Sequence, residues 1–177
     1  MTFKEELHKL HVCKEAIEWV GDRTLEQAWN ECERGDWMLW LAQTTGVDLR
    51  ILTLAKARCA KLVIHLMKDE RSRKAVEIAE RFGLGEATRE ELDEARSYAA
   101  AYAAAAAHAA YAADAAYVAY TAYAAEAAGA AADTADAYAA AAYTAYATEA
   151  ARKETLQECA DICRETLTGE ILVKEDP

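Results

Sequence analysis

Alanine and tyrosine dominate one long segment of this chain. Between Ser97 and Ala151 the 55 residues include 33 alanines, all nine tyrosines of the protein and no lysine or arginine. Alanine has the highest helix propensity of the common residues, so the segment is predicted to be helical. Because alanine buries little side-chain surface, such helices are stable only when they pack very closely on each other or on another surface.

Helical patterns also fill the rest of the chain. Apolar residues recur at spacings of three and four from Phe3 to Val20, which predicts one helix ended by Gly21. Thr24 and Gln27 form a capping-box pattern that opens the next helix. Later helices are predicted over 37–44 with Asp36 as N-cap, from Asp48 through Met67, from Ser72 to Phe82, and from a second capping box at Thr88 with Glu91. The predicted fold class is all-α.

The predicted organisation has two parts and a tail. Residues 1–86 form a small N-terminal helical bundle, and residues 87–168 form a long Ala/Tyr-rich antiparallel helical hairpin. Two geometries are open for the second part, because the chain either turns near Gly129 or continues there as one helix. The hairpin is favoured, since a single rod would expose both of its sides. Residues 169–177 are predicted to be a tail, extended over Ile171, Leu172 and Val173.

The charge distribution excludes several classes of partner. The net charge is −11, and residues 97–177 alone hold four basic and 12 acidic groups, a charge of −8. Such an acidic surface repels nucleic acid and anionic membranes. No apolar run reaches the roughly 18 residues that a membrane span needs. Five cysteines without a close-spaced framework favour reduced thiols. A cytoplasmic protein is therefore expected, with neither nucleic acid nor a membrane as its partner.

One basic stripe interrupts this acidic chain. Residues 50–74 hold eight basic and two acidic groups, and four of the side chains recur at spacings of three, four and three. This pattern predicts either a surface for a phosphate-bearing ligand or acidic partner, or a solvated helix face neutralised within the protein. The tyrosines of the Ala/Tyr-rich segment either pack with alanine in a core between close helices, which is favoured, or form an exposed binding face, and two of them join the candidate set as aromatic anchors. The candidate binding residues are Arg58, Lys61, His65, Lys68, Arg71, Arg73, Tyr111 and Tyr120.

Tryptophans and cysteines suggest two further sites. The four tryptophans lie within the first 40 residues and either line a pocket or form the core of the N-terminal bundle, and the core is favoured. Cys159 and Cys163 stand four residues apart on a predicted helix, as metal ligands can, but a zinc site would need two more ligands. Buried apolar thiols are favoured instead, so neither a metal nor another cofactor is expected.

The sequence lacks the signatures of common enzymes. It contains no Gly-rich phosphate loop, no nucleophile turn with a Ser-His-Asp arrangement and no His-Glu-x-x-His helix. The chain is therefore predicted not to be an enzyme.

Two stretches resemble known families. The stretch 21–41, with Gly-Asp-Arg-Thr-Leu at its start and Gly-Asp-Trp-Met-Leu-Trp-Leu at its end, resembles uncharacterised bacterial and phage proteins whose tails repeat alanine and tyrosine. The stretch 59–75, followed by Gly-Glu-Ala at 85–87, is similar to helical immunity proteins of polymorphic toxin systems. In that family a proline is frequent where this chain has Ser72. The resemblance implies a small intracellular helical protein that acts by binding.

Together these features predict a non-enzymatic helical binding protein. It would act through protein–protein interaction, and the resemblance implies a role in immunity or defence. One alternative is a protein that sequesters a small anionic, nucleotide-like ligand, and another is a purely structural homo-oligomer. Self-association is expected in all three cases, because a hairpin with a close-packing alanine face leaves a second such face available.

Overall fold

The computed structural model describes residues 2–62, 64–66, 70–97 and 149–172. In those ranges the protein is all-α, as predicted, with no strand. The predicted turn near Gly129 and three candidate residues, Lys68, Tyr111 and Tyr120, lie outside them. The helices are α1 (Phe3–Lys9), α2 (Lys14–Val20), α3 (Leu25–Glu31), α4 (Gly35–Thr44), α5 (Leu49–Leu62), α6 (Glu70–Gly83), α7 (89–97) and α8 (Glu149–Leu172), with a short 3-10 turn at Ile64–Leu66 after α5.

The main core lies where α8 packs across α3, α4 and α5. Its buried side chains come from α1 to α5, the loops between them and α8, and include Leu7, Val20, Trp29, Met38, Leu39, Leu52, Cys59, Cys163 and Leu167. A smaller apolar cluster joins α5, α6 and α7. The described end of the predicted second hairpin arm, 149–168, and the first four residues of the predicted tail therefore form one helix that packs into the same core as the N-terminal helices. No helix of the described ranges combines the length and the apolar character that crossing a membrane requires.

Two glycines allow the closest helix contacts. A Cβ atom added to Gly35, the first residue of α4, would lie 2.5 Å from the Cβ atom of Cys159 and 2.8 Å from the backbone nitrogen of Ala160 in α8. A Cβ atom added to Gly83 at the end of α6 would lie 2.5 Å from the Cβ atom of Leu54 in α5. Cβ contacts this short do not occur in real proteins, so each pair of helices meets only because the glycine has no side chain.

Side-chain caps place three helix starts, those of α3, α5 and α7, where the sequence predicts them. The Thr24 hydroxyl accepts a hydrogen bond from the backbone N–H of Gln27, and the Gln27 side-chain oxygen accepts one from the backbone N–H of Thr24. Thr88 and Glu91 form the same capping box. Asp48 Oδ1 accepts from the backbone N–H of Arg50 at 2.9 Å. These three caps are confirmed.

The predicted N-cap role of Asp36 is wrong. The N-cap position of α4 belongs to Arg34, which makes no side-chain cap bond, and the helix already includes Gly35. Asp36 instead accepts two hydrogen bonds from the Arg34 guanidinium, at 2.8 and 2.5 Å. A strong ion pair with Arg34, two residues earlier, has replaced the capping interaction, while the carboxylate still lies in the positive first turn of the helix.

The single helix predicted from Phe3 to Val20 is also wrong, because the chain breaks between α1 and α2. His11 has a φ of 55°, in the left-handed region. Its N–H donates to the His8 carbonyl, and the Val12 N–H donates to the Leu7 carbonyl. These two bonds form a Schellman motif, in which the left-handed position is usually glycine. Because histidine stands where sequence rules expect glycine, the end of α1 could not be predicted from the sequence.

We expect His11→Gly to raise the free energy of unfolding by about 0.5–1 kcal/mol, because glycine adopts a positive φ without a steric penalty. Gly46 ends α4 in the same motif with a φ of 71°, and a Cβ atom added there meets nothing within 4 Å. Gly46→Ala should therefore lower the free energy of unfolding by a similar amount. Thermal or urea unfolding of both variants measures the effects. A destabilised His11→Gly protein would mean that the imidazole contributes more than its backbone costs.

Two predicted helix ends need correction. α5 stops at Leu62, and a 3-10 turn follows at Ile64–Leu66 instead of a helix through Met67. At the other end, α8 continues through Gly169 to Leu172, so the extended tail predicted over Ile171 and Leu172 is wrong. Ile171 is only 4% exposed and belongs to the main core. It lies one helical turn after Leu167, and burying this apolar face outweighs the helix-breaking tendency of glycine.

Candidate ligand-binding pocket

The basic stripe predicted from the sequence is divided between neighbouring helices. Arg58 Nη1 donates to Thr166 Oγ1 of α8 at 3.3 Å. Lys61 Nζ forms an ion pair with Glu80 of α6 at 2.8 Å. Although these two cations are only three residues apart in sequence, Arg58 therefore links α5 to α8 and Lys61 links α5 to α6.

The other described cations of the stretch 50–74 are also distributed. His65, Arg71 and Arg73 are exposed, on the 3-10 turn and on α6. Arg50 Nη1 donates to the Phe82 carbonyl at 2.9 Å, and its guanidinium lies over the Phe82 ring. Both contacts bind Arg50 to the C-terminal end of α6. Lys56 is 1% exposed and its Nζ donates to Gln43 Oε1 at 2.7 Å. Much of the basic excess thus holds helices together, and its use for a ligand or partner stays a prediction.

The cysteines of α8 are buried, as predicted. Cys159 and Cys163 are both 0% exposed and meet Cys59 of α5, which is 1% exposed. The pKa values of the Cys159 and Cys163 thiols are raised, first by hydrogen bonding to the Cys59 sulfur and second by burial, which disfavours a thiolate. Both thiols therefore stay protonated at neutral pH. In the described part of the chain no group of His, Cys, Asp or Glu side chains is arranged to hold a metal ion.

A cavity of about 330 Å³ lies between the first two helices and the next two. α1, α2 and the loop between them form one wall, and α3, Cys32 and residues 36–41 of α4 form the other. The lining is almost wholly apolar and includes every tryptophan of the protein. Its members are Phe3, Leu7, His11, Val12, Cys13, Ala16, Trp19, Val20, Leu25, Ala28, Trp29, Cys32, Asp36, Trp37, Met38, Trp40 and Leu41.

The four tryptophans serve both as core and as pocket wall. Trp29 is 2% exposed, and its indole N–H donates to Thr168 Oγ1 of α8 at 2.9 Å, which ties the pocket to the main core. Trp19, Trp37 and Trp40 are half-buried. The rings of Trp19 and Trp37 meet edge to face, with their centroids 6.0 Å apart. The sequence-based preference for a core residue holds fully for Trp29, and the other three rings present surface to the cavity.

Guanidinium groups cover two of these rings. The Arg23 guanidinium carbon lies 4.7 Å from the centre of the Trp19 ring, and that of Arg34 lies 4.4 Å from the centre of the Trp37 ring. Both cations are also paired with carboxylates. Arg23 bonds to Glu31 at 2.7 Å, and Arg34 bonds to Asp36 in the cavity wall and, at 3.4 Å, to Glu15.

Few ionisable groups reach the cavity itself. Besides Asp36 these are His11 and Cys13, which are both exposed, and Cys32, which is buried. Burial raises the pKa of the Cys32 thiol, so it behaves as an apolar wall group. The cavity therefore offers aromatic surface with one carboxylate, an arrangement suited to enclosing an apolar ligand.

Comparison of the chain with protein-family models, with curated proteins and with solved structures gives no match. The pocket is therefore interpreted from its own geometry and charge. Of its polar wall residues, neither His11 nor Asp36 stood out as a site residue in the sequence. The signal that could have located the pocket is the concentration of all four tryptophans in 22 residues, from Trp19 to Trp40.

Proposed function

We propose that this chain is a non-enzymatic helical binding protein whose binding site is the tryptophan-lined pocket. The observation that supports the proposal is the cavity of about 330 Å³ whose lining includes four tryptophans. Ligand pockets in proteins are typically mostly apolar, with a few polar groups that fix orientation, and their volumes begin at about 300 Å³.

The size of the cavity limits the ligand. An apolar cavity of about 150 Å³ is known to bind benzene, so this one suits a molecule with roughly twice that volume, on the order of 10–20 non-hydrogen atoms. Flat or compact apolar molecules would contact the half-buried rings of Trp19, Trp37 and Trp40. Aromatic rings provide large contact area at a low cost in conformational entropy, because few side-chain torsions have to be fixed.

N-phenyl-1-naphthylamine, an uncharged apolar dye whose emission depends on polarity, tests the proposal. We expect saturable one-to-one binding with energy transfer from tryptophan to the dye. Trp37→Ala should weaken binding about tenfold, because it removes one aromatic wall of the cavity. Leu84→Ala is the matched control, since Leu84 is apolar and 51% exposed but does not line the cavity, and it should leave binding unchanged.

Cys13 provides a second readout on the unmodified protein. It lines the cavity and is the one exposed cysteine among the five, all of which lie in the described ranges. Bound dye should slow the alkylation of Cys13 by iodoacetamide in proportion to occupancy. Dye binding without any protection of Cys13, and with equal affinity in Trp37→Ala, would place the dye elsewhere and reject the proposed site.

The wider biological role is likewise a proposal. Protein–protein interaction in immunity or defence, self-association and a cytoplasmic location are supported by the family resemblance, the Ala/Tyr-rich composition and the five free cysteines. Native mass spectrometry of freshly purified protein distinguishes these roles from ligand storage. A copurified small molecule would support the pocket, and a bare oligomer would favour a protein partner.

A further inference from the structure

We infer that the ligand of the pocket is an amphipathic cation, with an apolar body enclosed by the tryptophans and a positively charged amine or quaternary ammonium group beside Asp36. This inference rests on the proposed function, because it names the class of ligand that the same cavity would select. It is carried by the charges in and directly behind the cavity wall.

Carboxylates outnumber cations around the pocket. Asp36, Glu15, Glu31 and Asp161 supply four negative charges, and the guanidinium groups of Arg34, Arg23 and Arg164, the last bonded to the Cys32 carbonyl in the wall, supply three positive charges. The sum is −1, and the positive end of α4 offsets roughly half of one charge. The formal charge of these groups therefore stays negative, in a protein whose net charge is −11. An anionic head group would meet repulsion here, while a cationic one would be attracted.

Asp36 is the group placed to receive the cation. Among the described residues it is the one carboxylate in the cavity wall, and its side chain is 26% exposed. The Arg34 guanidinium donates one hydrogen bond to each of the two Asp36 carboxylate oxygens. A carboxylate has about four acceptor positions, so two remain for a ligand ammonium group. Neighbouring Glu15 shares the Arg34 guanidinium at 3.4 Å, so this guanidinium is opposed by two negative charges.

The tryptophans strengthen the same preference. Trp19 and Trp37 already hold guanidinium groups at 4.7 and 4.4 Å, which shows that their ring faces accept cations at this site. The other half-buried ring in the wall is that of Trp40, which makes no such contact with a described cation. Tryptophan is the strongest aromatic partner for a cation, and aromatic pockets of this kind recognise quaternary ammonium groups.

Three probes of similar shape test the inference in competition with the dye. They are benzyltrimethylammonium, its uncharged carbon isostere neopentylbenzene, and the anion phenylmethanesulfonate. At low ionic strength we expect the cation to bind at least fivefold more tightly than the isostere and the anion to bind least tightly. Raising the salt concentration should reduce the difference, because part of it comes from screened charges.

Charge-removing variants locate the effect. Asp36→Asn should weaken cation binding about fivefold and leave the binding of neopentylbenzene within twofold. Glu15→Gln should weaken cation binding less than Asp36→Asn does, because the Glu15 side chain is 73% exposed. Glu77→Gln removes a carboxylate from an exposed position of α6 away from the cavity and is the matched control, with no expected change.

The outcomes separate this inference from the proposed function. Equal binding of the cation and its isostere, or equal losses of both in Asp36→Asn, would overturn the cationic ligand while leaving an apolar pocket in place. Failure of the dye and of all three probes to bind would instead reject the pocket as a binding site. If Asp36→Asn does not fold, Glu15→Gln and the salt dependence decide, and a cation preference that neither change reduces overturns the inference.

Discussion

Gly35→Ala is expected to lower the free energy of unfolding by about 3 kcal/mol, or roughly 6–12 °C in Tm for a chain of this size. The added methyl group would lie 2.5 Å from the Cβ atom of Cys159 and 2.8 Å from the Ala160 nitrogen. These atoms belong to the backbone of α8 or are attached directly to it, so no side-chain rotation relieves the contact. α4 and α8 would have to separate along the main core.

Gly169→Ala is the matched control for this prediction. Gly169 also lies in α8, but it is exposed and an added Cβ atom meets nothing within 4 Å. Alanine should stabilise the helix there by about 0.5–1 kcal/mol through its higher helix propensity. Opposite signs for the two Gly→Ala changes in chemical denaturation would confirm the close contact. A Gly35→Ala protein as stable as the wild type would show that α4 and α8 do not meet at Gly35.

Trp29→Ala is expected to cost about 3–5 kcal/mol, because it removes the largest fully buried side chain of the described structure. The indole fills the junction between α3 and α8 and also forms the inner wall of the pocket. Thr168→Val should cost about 1–3 kcal/mol, since it leaves the buried indole N–H without its acceptor.

Trp40→Ala makes the same change at a half-buried tryptophan, and we expect a smaller loss, of about 1–2 kcal/mol, in proportion to the area it buries. Urea unfolding of the three variants gives the comparison. Equal costs at positions 29 and 40 would contradict the assignment of Trp29 to the main core. A double mutant at Trp29 and Thr168 would show whether the two residues act as one unit.

The helical fold and the starts of α3, α5 and α7 were predictable because their signals are local. Thr24 and Thr88 each stand three residues before a Gln or Glu, and Asp48 precedes an apolar periodic run, so capping patterns alone define these boundaries. Helix ends were harder to predict. His11 adopts a left-handed conformation that sequence rules reserve for glycine, and Ile171 extends α8 through tertiary burial.

The candidate site was less predictable than the fold, because it depends on which helices meet. The spacing of Arg58 and Lys61 on α5 indicates a shared face, yet α8 lies beside one and α6 beside the other. No local pattern reveals that Gly35 adjoins Cys159, although this contact sets how close α4 comes to α8. The tryptophan cluster did indicate a buried aromatic region. Whether such a region packs as a solid core or leaves a cavity depends on how α1 and α2 pack against it, which the sequence does not reveal.

The position of α8 in the main core bears on how the protein is made in the cell. Trp29 bonds to Thr168, 139 residues later, and Cys59 lies against Cys159, 100 residues later. Contacts with such separations close large loops, which slows folding through the entropy of bringing the ends together. During synthesis α3, α4 and α5 emerge long before the helix that covers them. The core that α8 forms with them is completed only once residues 149–172 have been made, and chaperones can act on the incomplete core during that interval.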